Sequence, residues 1–194
     1  MLLISSPLKF DSLAKRLSTR FDVNAAGEEM LLRLWDARIF YALASALEPP
    51  NRELVFALGT QALVPDRQGG QVVIALNFTS DDPLQGRQLS LSQSELDALI
   101  ERSNPDAILA MVREISPELI QQIADAERYG LAQRQLVECE QRQLNSPRDQ
   151  ALALTLAIEH GPEWWHSPEW ANCVQQASQL TLLNAYLQRI QPSE

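Results

Sequence analysis

The sequence predicts an α+β fold: a small mixed α/β lobe with a β-hairpin over residues 1–80, followed by an all-α helical bundle over residues 90–194. Three observations predict it. Two β-rich runs, residues 56–65 and 71–78, flank Asp66-Arg67-Gln68-Gly69-Gly70, a loop whose glycines can close an antiparallel hairpin. Residues 79–89, with Asp81-Asp82-Pro83 and Gly86, are polar and turn-rich and mark the boundary. From Leu91 onward every punctuation mark is helical.

The chain opens on a short apolar strand at residues 2–4. Phe10, Leu13, Ala14, Leu17 and Phe21 then fall on one helical face, with Lys15, Arg16 and Arg20 elsewhere, which predicts one packed face and one wet face. The run Met30-Leu31-Leu32-Arg33-Leu34-Trp35-Asp36-Ala37-Arg38 is strand-like until Asp36, and a helical pattern follows to Leu47. Asp36 is placed to N-cap that helix, since its carboxylate can accept from the first free N–H groups at the positive end of the dipole. Arg33 and Arg38 bring two cations within reach of it, so an ion-pair cluster is expected at this junction. Pro49-Pro50 is expected to stop the helix. The acid pairs Glu28-Glu29 and Asp81-Asp82 stand beside turn residues and are expected to be solvated.

In the second lobe Ser92-Gln93-Ser94-Glu95 reads as a capping box, with Leu91 and Leu96 at the positions of a hydrophobic staple. Asn104-Pro105-Asp106, Ser116-Pro117-Glu118, Ser146-Pro147-Arg148 and Ser167-Pro168-Glu169 each put a capping side chain before a proline suited to the first helical position. Gly130 and Gly161 are expected as C-terminal caps, with Tyr129 packing beside the first and a further helix over 132–144. The result is a bundle of about six helices with short connections. Irregular spacing of the caps argues against a solenoid.

A chain of 194 residues can bury roughly 70% of its surface without staples. Its net charge of −9 and the absence of any basic run beyond Lys15-Arg16 disfavour nucleic acid and anionic membranes as partners. Arginine supplies all but two of the cations, which suits planar ion-pair contacts. Cys139 and Cys173 make neither a disulfide framework nor a zinc spacing. The opening Met1-Leu2-Leu3-Ile4-Ser5-Ser6-Pro7 lacks a basic leader, and no later apolar run approaches membrane-spanning length, so a cytoplasmic location is expected.

Catalytic motifs are lacking. His160 and His166 do not fall on adjacent helical turns, and Gly161-Pro162 breaks any helix between them, which argues against a metal site. No nucleophile elbow, phosphate-cradling loop, HExxH or CxxC occurs, so neither catalysis nor a cofactor is expected. A recognition surface remains. Trp164, Trp165 and Trp170 lie close together in sequence, and tryptophan is over-represented at interface hot spots, although sealing the end of a bundle competes as their role.

The phrase Arg33-Leu34-Trp35-Asp36-Ala37-Arg38 resembles the Arg-x-aromatic-Asp-Pro-Arg signature of the type VI secretion effector-adaptor family, the Tap or Tec chaperones, with Ala37 in place of the usual proline. The likeness extends upstream to Leu2-Leu3-Ile4-Ser5-Ser6 and Leu13-Ala14-Lys15-Arg16-Leu17. Downstream it takes in Arg128-Tyr129-Gly130 and the stretch from Gly161 to Trp170. Relative to that family the chain begins partway through the N-terminal lobe. The resemblance implies an adaptor that binds the N-terminal or delivery region of a toxic effector and helps load it onto the VgrG spike, with no catalysis and no cofactor. The cleft between the lobes is then the expected cradle. Trp35, Arg38, Trp164, Trp165 and Trp170 are the candidate contacts, and Arg33, Asp36, Tyr129 and Gly130 the structural supports. An immunity protein that neutralises a basic toxin is the alternative, because it would also be small and acidic.

Overall fold

The computed structural model describes residues 1–67, 69–168, 170–177 and 181–190. It is α+β, with two compact units, Met1–Ser103 and Asn104–Glu194, each built around its own apolar core.

The first unit holds two three-stranded sheets. In one, β1 (Leu3–Ser5) and β5 (Gln71–Ala75) flank β4 (Gln61–Pro65), all antiparallel. The hairpin predicted between β4 and β5 forms, closed by Asp66, whose carboxylate accepts from the Gly70 N–H at 2.7 Å; Gln68 lies outside the described residues. Gly59 lets β1 approach, since a Cβ there would stand 2.2 Å from the Ser5 carbonyl oxygen.

The other sheet has the order β3-β2-β6. Strands β2 (Asp22–Ala25) and β3 (Glu28–Leu31) form a hairpin, and β6 (Leu89–Leu91) runs parallel to β2. Ala26 and Gly27, both at positive φ (54° and 93°), make the two-residue turn that right-twisted hairpins favour. The polar stretch from Thr79 to Leu89 belongs to this unit and buries Leu84 in it.

Helices α1 (Phe10–Ser18), α2 (Ala37–Ala46) and α3 (Pro49–Phe56) complete the unit. Asp36 caps α2 as expected. Pro49 and Pro50 do more than stop it: they open α3, where a missing N–H costs nothing and the fixed φ suits the first turn. The wet face read for α1 is corrected. Arg16 and Arg20 are buried, and Phe10, expected to pack, is 83% exposed. The buried main-chain carbonyls of Ala57 and Val55 draw the two guanidiniums inward.

Helix α4 (Gln93–Ile115) starts on the expected capping box. The Glu95 N–H donates to Ser92 Oγ (3.2 Å) and the Ser92 N–H to Glu95 Oε2 (2.9 Å). Pro105 does not begin a helix but lies inside α4, next to the unit boundary. It deprives one carbonyl of its partner, yet the core residues on either side, Leu99 before it and Ile108, Leu109 and Val112 after it, hold the helix through that position.

The second unit continues with α5 (Pro117–Gln121), α6 (Asp125–Gln141), α7 (Pro147–His160), a 3-10 turn (Trp164–His166), α8 (Ala171–Ala177) and α9 (Leu182–Ile190). Pro117 and Pro147 take first helical positions as predicted, but Ser116 and Ser146 before them make no side-chain cap hydrogen bond, and Pro168 precedes α8 in a turn; Glu169 lies outside the described residues. Gly161 ends α7 at φ 91°, where other residues are strained.

Gly130 is corrected. It is an interior residue of α6, which starts at Asp125, so it caps nothing. A Cβ at Gly130 would meet only Arg134 Nη1 at 3.6 Å, an ordinary contact. Gly130→Ala is therefore expected to stabilise the second unit by roughly 0.5–1 kcal/mol, through the lower backbone entropy of the unfolded chain. A rise in the urea midpoint at constant slope would check it; a fall would mean that the position needs glycine after all. No helix among the described residues is long and apolar enough to cross a membrane.

Candidate functional site

The segment after β3 alternates. Leu32 and Leu34 turn into the core while Arg33 and Trp35 stay outside, and the main chain closes a turn where the Asp36 N–H donates to the Arg33 carbonyl at 2.9 Å. Trp35 is 55% exposed and meets Phe21 edge-on at 5.1 Å and 88°.

Asp36 next to it works twice. Its Oδ1 accepts from the Arg38 main-chain N–H (3.0 Å), and its two oxygens accept from Arg38 Nε (3.0 Å) and Nη2 (2.7 Å) in a two-pronged pair. That fork is the main reason the Asp36 carboxyl titrates below the ordinary aspartate range. Partial burial opposes it, while the Arg38 N–H and the charges of Arg38 and Arg33 reinforce it. The expected cluster is thus an Asp36–Arg38 pair to which Arg33 adds its charge. Arg38 keeps 56% of its side chain exposed, so the junction presents an indole and an oriented guanidinium to solvent.

Within the same unit lies an apolar groove of about 160 Å³. Met30 and Val23 of the hairpin form one wall, and Ile39 of α2 with Leu96, Leu99 and Ile100 of α4 form the other. Of its lining residues, Met30, Leu31 and Ile100 are large exposed apolar side chains. Exposed hydrophobic groups gathered at a concave surface mark interaction sites more often than scattered ones do.

Trp164, Trp165 and Trp170 lie elsewhere, in the second unit, and are buried to 3% exposure or less. Their expected role as partner contacts is corrected, because a buried indole offers no surface. Trp164 and Trp165 stack at 3.9 Å, and Trp170 meets Trp164 edge-on at 5.6 Å. Gln135, itself buried, accepts from Trp164 Nε1 (3.2 Å) and Trp165 Nε1 (2.8 Å) and donates to the Pro162 carbonyl (3.0 Å). The cluster seals the second core. Tyr129 is half-buried on α6, and His160 packs its ring against Trp170 at 4.9 Å.

A polar network that the sequence did not betray braces the first unit. Arg16 Nη1 donates to the Ala57 (3.1 Å) and Thr79 (2.8 Å) carbonyls. Arg20 is fully buried: its Nε donates to the Leu54 and Val55 carbonyls (both 3.1 Å) and its Nη2 to Asp82 Oδ1 (2.8 Å). Asp82, expected in water, is instead an ion-pair partner. Burial pushes its carboxyl up, but hydrogen bonds from Arg20 and the Leu84 N–H, with the charges of Arg20 and Arg16, outweigh burial and leave it below the ordinary value.

The family model described as Domain of unknown function (DUF4123) matches residues 1–54. This domain occurs in type VI secretion adaptor proteins. The matched residues include the hairpin, the Trp35-Asp36-Arg38 junction and the hairpin wall of the groove. No curated protein and no solved structure matches the chain.

Proposed function

We propose that the protein is an adaptor-chaperone of type VI secretion, which binds a toxic effector through its delivery region in the cytoplasm and helps load it onto the VgrG spike, without catalysis or cofactor. One observation supports this most: the exposed side chains of Trp35 and Arg38, and the hairpin and α2 residues that line the apolar groove, all fall inside the segment that the adaptor-associated domain matches. An apolar groove shields an effector segment that would otherwise aggregate, and an exposed indole and guanidinium are the side chains most often found at binding hot spots. In this reading Trp35 and Arg38 touch the effector and Asp36 orients Arg38.

Affinity capture of the tagged chain from its native cells tests the proposal, with co-purifying proteins identified by mass spectrometry and the captured toxin assayed. A spike protein together with an active effector is the expected result. A lone, silenced toxin would replace it with the immunity reading, which the net charge of −9 suits if the toxin is basic. Trp35→Ser and Arg38→Ala are each expected to weaken capture by tenfold or more, about 1.4 kcal/mol or above, with melting little changed because both side chains are more than half exposed. Unchanged capture in both would return the junction to a purely structural role.

A further inference from the structure

The hairpin beside the groove leaves one sheet edge open. Among the described strands β3 pairs only with β2, and all four of its residues are exposed. The ladder extends one residue past the strand, where the Leu32 N–H donates to the Phe21 carbonyl at 2.7 Å. Bonded and non-bonded pairs alternate in an antiparallel ladder. Counting back from that bond, Met30 and Glu28 direct their main-chain groups at β2, and Leu31 and Glu29 direct theirs at the open edge. Edges are commonly blunted by shortness, charged side chains, proline or a bulge. β3 has no proline and its register with β2 runs without a bulge; its two charges, Glu28 and Glu29, are both negative, so they repel an acidic strand and admit a basic one.

Side-chain alternation links this edge to the groove. Met30 lies opposite Val23, and Glu28 opposite Ala25, so both share a face with residues buried in the core. On that face Met30, half-exposed, and Leu32 line the groove together with Ile39, Leu96 and Ile100. A strand added beside β3 would lay every second side chain over the same wall, covering apolar surface that the three strands present leave open.

Charge selects the occupant. From Asp22 to Leu31 the hairpin holds Asp22, Glu28 and Glu29 and no base. An acidic segment is repelled there, whereas basic side chains on the face away from the groove meet Glu29, with Asp22 on the same face one strand further in, and make favourable cross-strand pairs. We infer that β3 receives an extended segment of the partner in which apolar and basic residues alternate, added to the sheet as a fourth strand with its apolar side chains in the groove. The inference rests on the adaptor reading and states how the effector is held.

Titrating the full chain with the end-blocked synthetic peptide Ile-Lys-Ile-Lys-Ile-Lys tests it. Saturable binding is expected, weakened about tenfold or more when glutamate replaces the lysines, or when Glu29→Pro removes an N–H that points away from β2. A pair of N-methylated peptides gives a control that does not depend on a variant folding. Methylation of the N–H groups on one edge of the peptide should abolish binding, and methylation of those on the other edge should leave it. Absence of binding, equal binding of both methylated peptides, or tighter binding of a helical peptide of the same composition would overturn the inference. An effector captured from cells by a chain that ignores the peptide overturns strand addition alone and leaves the adaptor reading standing. A bound peptide with no captured effector upholds strand addition and removes the adaptor reading.

Discussion

Arg20→Ala is expected to destabilise the first unit by about 3–5 kcal/mol, enough to unfold it under mild conditions. The guanidinium is fully buried and holds five groups at once: the Leu54 and Val55 carbonyls in the last turn of α3, the Arg16 carbonyl at the end of α1, the Thr19 hydroxyl, and the Asp82 carboxylate. Those helix-end carbonyls have no intrahelical partner, so the cation satisfies them and sits at the negative end of the α3 dipole. Removing it strands the buried carbonyls and leaves Asp82 without its partner. Arg20→Lys should recover little, because an ammonium cannot reproduce the planar fork.

The same network makes a pH prediction. Asp82 titrates below the ordinary aspartate value of 3.8 in the folded chain. A depressed folded pKa means that the carboxylate's contribution is fully present above that ordinary value and is lost as pH falls through the lower one. The stability difference between the wild type and Asp82→Asn, measured by urea unfolding, should therefore be largest near neutrality and shrink below pH 3.8. A difference independent of pH would remove Asp82 from the account of acid sensitivity.

Trp164→Ala has the second large effect, about 3–5 kcal/mol on the second unit. Its ring is 1% exposed, stacked on Trp165 and edge-on to Trp170, so truncation leaves a cavity bounded by other rings that cannot collapse without losing their own contacts. Gln135→Leu attacks the same cluster from its polar side: two indole N–H groups lose their acceptor, at about 1–3 kcal/mol for each buried donor left unpaired. Denaturant unfolding followed by tryptophan fluorescence measures both. A cost below about 1 kcal/mol for Trp164→Ala would mean that the ring is not part of a packed core, and would restore it as a contact candidate.

How much of this could be read from the residues follows the range of the interactions. The Asp36 cap, the Ser92–Glu95 capping box, the β4–β5 hairpin and the proline starts of α5 and α7 were legible because each is decided within a few residues. The β2–β3 hairpin was not, because its turn is Ala26-Gly27, and alanine at positive φ is tolerated only once both strands are held by the sheet. Gly130 and Pro105 were misread as punctuation, although tertiary packing carries a helix through each. The burial of Arg16 and Arg20 depends on carbonyls more than 30 residues away, which no local pattern reveals. At the candidate site the junction was legible and the groove was not: Trp35, Asp36 and Arg38 adjoin in sequence, whereas the groove joins β2 and β3 to α2 and to an α4 far along the chain. The tryptophan cluster shows the converse error. Composition marks the rings as valuable, and only packing says whether they face inward.

Effector export tests the central claim most directly. The effector leaving cells that lack this chain is compared with export from cells given back the wild type or the Trp35→Ser, Arg38→Ala double variant. If the protein is an adaptor, it is required for export of the effector but not for that effector's toxicity when expressed directly in a target cell, and the double variant restores export poorly. Undiminished export without the chain, together with self-poisoning of the cells that lack it, would contradict the adaptor account and identify an immunity protein.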